Sequence, residues 1–166
     1  MKKYFGLIIS VACMLMSSQA FAAGIAYVDV AQVFDGYQKT KDQDMSLKTI
    51  GEKKEKERAD LVKAARQIED EMSLLAKEAR QQKQEQLIEK KRQLEDFDRE
   101  VRKQIGESRE KVVREIFQDI DATIAEYGKA KGYDFILNDR VLLYRNETLN
   151  ITKVILEELT KKYKKV

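Results

Sequence analysis

The chain has 166 residues, with 32 Lys+Arg against 29 Asp+Glu and a formal net charge of +3. It has one Cys, no His, no Pro and no Trp, which leaves no imidazole–thiolate metal site and no His-based nucleophile; with neither phosphate loop nor nucleophile elbow, no enzyme is expected. The near balance of charge argues against a nucleic-acid binder, which calls for a clearly basic face.

Taken in chain order, the N-terminus reads as a targeting segment. Lys2 and Lys3 precede a short apolar run, Leu7 to Met16, and Ala20-Phe21-Ala22 is a small-x-small cleavage site. Ten or so apolar residues are too few for a permanent span, which needs about 20. Cleavage after Ala22 removes the single Cys13 together with Lys2 and Lys3, leaving a mature chain near +1 without disulfides. Such a chain suits a bacterial envelope protein.

Ile25-Ala26-Tyr27-Val28-Asp29-Val30 is β-branched and aromatic and predicts a strand. Val33, Phe34 and Tyr37 follow at helical spacing, with Asp29 placed to cap that turn. From Thr40 to Tyr127 there is no proline and only Gly51 and Gly106. Leu61, Ala65, Ile68, Met72, Leu75 and Ala79 alternate in steps of four and three, the seam of a coiled coil. A second stripe runs through Leu94, Phe97, Val101, Ile105, Ser108, Val112, Ile116, Ile120, Ile124 and Tyr127. It widens at Val113 and Phe117, as a helix does on entering a globular body. A single helix of about 90 residues would be roughly 135 Å long and would strand the first strand without a partner. A helical hairpin folded near residues 79–84, with two arms of roughly 60 Å, is therefore expected.

Gly132 suits a left-handed helix end. Tyr133–Leu137 predicts a strand, Asn138-Asp139-Arg140 a turn, and Val141–Tyr144 a strand returning beside it. Asn150 reads as an N-cap for a last helix through Ile151, Val154, Ile155 and Leu159, whose end carries Lys161, Lys162, Lys164 and Lys165.

The fold class expected is thus α+β: a small β-sheet oligomerisation body carrying a long protruding antiparallel α-helical coiled-coil hairpin. The signal peptide is 1–22, the body 23–38 and 128–166, the arm 39–127. A body of roughly 55 residues is near the lower limit for independent stability, and its sheet edges need covering. Association of several copies answers both needs.

The signal peptide, the Ile25–Val30 segment with Val33-Phe34, the charged hairpin, and Gly132-Tyr133-Asp134-Phe135-Ile136-Leu137 together resemble the Skp (OmpH) family of periplasmic chaperones over the whole mature chain. The resemblance implies a homotrimer in the Gram-negative periplasm. Its arms would enclose a cavity for unfolded outer-membrane β-barrel proteins, without ATP or any cofactor. A structural coiled-coil spacer of the envelope is the competing reading.

Apolar residues off the seam are the candidates for client contact: Met45, Leu47, Ile50, Val62, Leu74 and Ile88. Residues 77–92 hold six cations (Lys77, Arg80, Lys83, Lys90, Lys91, Arg92) against three anions. They predict a basic arm tip able to make transient contact with an anionic membrane surface. Gly51 and Gly106, at similar heights on the two arms, are the candidate hinge, since glycine weakens a helix interior.

Overall fold

The computed structural model describes residues 24–164. The expected leader and its cleavage point lie outside the described residues, as does Lys165. Strand β1 (Ile25–Val28) is followed by a short helix α1 (Val30–Gly36), then by two long helices, α2 (Gln38–Ser73) and α3 (Lys77–Lys131). Strand β2 (Phe135–Asn138), two 3-10 turns at Asp139–Val141 and Glu147–Leu149, and helix α4 (Thr152–Tyr163) complete the chain.

Local chemistry explains most of the boundaries. Asp29 caps α1 by accepting a 2.8 Å hydrogen bond from the Gln32 amide. Tyr37 stands between α1 and α2 in an extended conformation (φ −66°, ψ 129°), so the chain changes direction there. Gly132 ends α3 in the left-handed region at φ 72°, which a residue without Cβ adopts freely. α4 starts at Thr152, one residue later than an N-cap at Asn150 requires. Asn150 instead accepts from the Thr152 amide at 3.0 Å from just outside the helix.

The hairpin turn is Leu74–Ala76, earlier than the expected 79–84. The polar run after Lys77 is the first part of α3 and not a loop. Its residues are good helix formers, and their polarity reflects solvation on every side. Paired ion bridges link α2 to α3 along the arm: Lys39–Asp119 at 2.8 Å, Arg58–Asp98 at 2.9 Å, Glu69–Lys91 at 2.9 Å, and Glu71–Lys83. Rising numbers on one helix meet falling numbers on the other.

The sheet differs from the expected three-stranded one. It has two strands, and β1 and β2 are parallel, with Ile25 opposite Phe135 and Val28 opposite Asn138. The reason lies in α3, which overshoots the arm and runs past the body before turning at Gly132. It delivers the chain to the start of β1, where the Asp134 and Phe135 amides both donate to the Gly24 carbonyl at 2.8 and 3.2 Å. Val141–Tyr144 forms no returning strand. Asn138 accepts from the Arg140 amide, turns the backbone into a 3-10 turn, and leads the chain away from the sheet.

The core joins every part of the body to the root of the arm. Val28 from β1, Val33 from α1, Ile116 and Ile120 from α3, and Ile155 and Leu159 from α4 are all buried. Phe34 stacks on Phe117 at 5.2 Å beside this core. Tyr37 is buried within it, and its hydroxyl donates to Asp119 at 3.3 Å. Burial, then the Asp119 carboxylate, push the Tyr37 phenol up to about 12 from the ordinary 10.0. Its neutral form is therefore favoured by folding. The associated stability is complete below pH about 10 and is lost as pH rises toward about 12. Tyr37→Phe is expected to shrink the fall in melting temperature between pH about 9 and about 12, measured by circular dichroism. An equally steep fall in the variant contradicts this.

Candidate functional site

The arm is the part of the molecule with no globular work to do, so its surfaces are the first candidates for function. Its seam continues further toward the body than Leu61. Leu47, Gly51, Lys54, Arg58, Leu61, Ala65, Ile68 and Met72 keep the four–three alternation without a break. Toward the apex the seam is apolar, with Ala65 and Leu87 buried. Leu87 belongs to this seam and is missed if the second stripe is started at Leu94, although it lies one heptad before it. Ala79 and Ser108, expected in the seam, are exposed.

At mid-height three successive α2 seam positions are Gly51, Lys54 and Arg58. They face Phe97, Val101 and Ile105. Lys54 lays its ammonium 5.6 Å from the Phe97 ring centre, and Arg58 grips Asp98 through two nitrogens at 2.9 and 3.3 Å. These side chains do not fill the seam. One groove of ≈ 280 Å³ opens beside Leu47, Ile50, Val101 and Ile105, and another of ≈ 330 Å³ beside Gly51, Arg58, Phe97 and Val101. The ion-pair ladder sets Gly106 level with Gly51. A Cβ at either glycine would meet nothing within 4 Å, so neither is required for close packing. Gly51→Ala with Gly106→Ala is expected to stabilise the arm by about 1 kcal/mol per site. Urea melts followed by helix content check this; a loss of stability runs against it.

The six apolar candidates do not form one patch, and Leu47, expected off the seam, is a seam position. Leu47 and Ile50 come together on the first groove. Val62 is half-buried beside the seam, while Met45 and Ile88 are exposed at separate heights. Leu74 is 86% exposed at the apex, in the turn itself.

The six tip cations all lie on α3, and the α2 side answers them with acid. Lys83 pairs with Glu71 and Lys91 with Glu69 across the hairpin. Arg92 lies 3.9 Å from Glu89, and Lys90 donates to Gln93. Arg80 donates to the Leu75 carbonyl at 2.8 Å and so serves the turn. Lys83, Lys91 and Arg92 are thus paired with carboxylates, while Arg80 and Lys90 bond uncharged acceptors.

A second surface lies on the body. Phe135, Val141, Leu143 and Tyr144 are large, apolar and exposed, with Leu143 at 108%. Beside them is an apolar recess of ≈ 230 Å³ lined by Ile25, Tyr27, Leu137, Leu142, Tyr144 and Leu149. Arg145 fixes its rim, its guanidinium 5.6 Å from the Tyr27 ring centre and paired with Asp139 and Glu147. Scattered apolar residues on a surface are ordinary, but four large ones within residues 135–144, beside an apolar recess, make this a candidate contact face.

Among the described residues no group of three or more His, Cys, Asp or Glu could hold a metal ion. None of their helices is long and apolar enough to cross a membrane.

A small sheet carrying a long two-helix arm on a shared core defines an arm-and-body protein of the OmpH-like class. The family of outer membrane proteins described as OmpH-like matches residues 24–159, and the chain belongs to that family. A crystal structure of a putative outer membrane chaperone (OmpH-like) from Caulobacter crescentus CB15 shares the fold, with a TM-score of 0.78 at 16% identity. The match covers 88% of this chain and 89% of that one. No curated relative matches the chain by sequence.

Proposed function

We propose that this protein is an ATP-independent periplasmic holdase, secreted by cleavage near Ala22. It assembles as a homotrimer through the body and holds unfolded outer-membrane β-barrel proteins between its arms. The observation that carries this reading is the arm itself: a protruding hairpin whose seam is thin at mid-height and which displays apolar side chains at several levels. Many weak apolar contacts summed over several arms suit a client without fixed shape. Loosely packed arms suit it further, because they can bend around clients of different size. The exposed apolar face around Leu143 and Tyr144 gives the undersized body something to bury on association.

The test is light scattering as a urea-denatured outer-membrane barrel protein is diluted with and without this protein. Suppression of aggregation at stoichiometric trimer is expected. Undiminished scattering would overturn the holdase reading and leave a coiled-coil spacer of the envelope as the better account.

A further inference from the structure

The two helices of the arm are anchored differently. α3 is a spine: one unbroken helix from the apex into the body, where Ile116 and Ile120 are fully buried. α2 is a strut that starts after the extended break at Tyr37. Two helices packed about 9 Å apart cannot bend together without sliding. For a bend of about 30°, one must slip by about 5 Å along the other, close to the rise of three residues. Since α3 is fixed in the core, the slip falls on α2 and must be absorbed at the apex or at the root.

The apex is closed. The Leu74 amide donates to the Glu71 carbonyl at 3.2 Å, the Arg80 amide to Ala76 at 3.2 Å, and the Arg80 side chain to Leu75 at 2.8 Å. The root is looser. A recess of ≈ 340 Å³ lies on one side of the first turn of α2, among Tyr37, Lys39, Asp119, Thr123, Leu159 and Tyr163, while Thr40 of the same turn is buried on the other. What spans this space is the end of α4. Tyr163 donates to Asp42 on α2 at 3.0 Å, while the neighbouring Lys162 donates to Thr123 and Glu126 on α3 at 3.2 and 2.7 Å. Consecutive residues of one helix thus hold the strut and the spine. Lys39–Asp119 is the direct tie beside them.

We propose that the last turn of α4 is a brake on arm bending: it holds the root of α2 in register with α3, and its release lets the strut slide. The inference rests on the reading that the arms bend around a client, and it names the residues that limit that bending. The grooves at mid-height lower the resistance of the seam itself, so the root ties set the stiffness.

The test uses the full secreted chain with nitroxide labels at Lys48→Cys and Lys111→Cys, exposed positions at the same level low on the arm. Labelled chain is diluted into unlabelled chain so that only distances within one chain are read. Tyr163→Phe keeps the ring, which stands edge-on to Tyr37 at 5.9 Å, and removes only the bond to Asp42. A wider distance distribution is expected in Tyr163→Phe and in Asp42→Ala, with the double variant no wider than Asp42→Ala alone, because the Tyr163–Asp42 bond is already lost there and the Gln38–Asp42 bond lies within α2. Unchanged widths overturn the brake. So does a double variant wider than Asp42→Ala alone, or a widening that comes with loss of helix content or of oligomer mass. Scattering assays on the unaltered protein test the holdase reading separately, and their failure leaves the distance measurement readable.

Discussion

Ile120→Ala is expected to destabilise this protein by about 2–5 kcal/mol and to lower the urea midpoint accordingly. Ile120 is fully buried where α3 crosses the body, among Val28, Val33, Ile155 and Leu159. Removing its three outer carbons leaves a cavity among side chains from β1, α1 and α4. A domain holds only about 5–15 kcal/mol in total, so the loss is a large share for so small a body. Ile88→Ala, on the exposed side of the same helix, is the matched control and is expected to stay within about 0.5 kcal/mol. Circular dichroism melts in urea compare the two. Equal effects would mean that the root of the arm is not part of the core.

Leu143→Asp is expected to reduce the assembly to monomer at micromolar concentration while leaving each chain folded. Leu143 makes no demand on its own chain, being fully exposed. In the proposed trimer every copy would carry the substitution, so each interface would gain a carboxylate facing apolar surface. An unpaired charge taken out of water costs several kcal/mol, which exceeds what a modest interface can spare. Sedimentation equilibrium reads the mass and far-ultraviolet dichroism the fold. An unchanged oligomer mass would remove the face around Leu143 and Tyr144 from the association surface.

Much of the fold could be read before any coordinates, because its signals are local. Asp29 and Gly132 act as helix caps through their own chemistry, and the heptad alternation through Ala65 and Met72 marks a seam whatever the tertiary setting. The apex carries a weaker signal. Leu74-Leu75-Ala76 contains no glycine or proline, and the polar run after it looks more like a loop than the turn does. The parallel sheet depends on how far α3 runs beyond the core before Gly132, a length set by packing and not by pattern. Val141–Tyr144 has strand-like composition, yet Asn138 diverts the chain first. Of the site, the arm surface was legible only as a set of off-seam residues. Leu47 and Ile50, three apart on one face of α2, share a groove opposite Val101 and Ile105, and that pairing depends on register across the two helices.

The shared core has a consequence for how arms of this kind can change length. Cutting off the arm removes Ile116 and Ile120 with it unless the cut is made above them, so the body has no independent existence below that level. Inserting residues into α2 alone would shift every later seam position against its partner on α3, and the ladder from Arg58–Asp98 to Glu71–Lys83 would come out of step. A longer or shorter arm therefore needs matched insertions or deletions at the same height on both helices, in steps of whole heptads. Each added heptad lengthens the reach of the arm by about 10 Å.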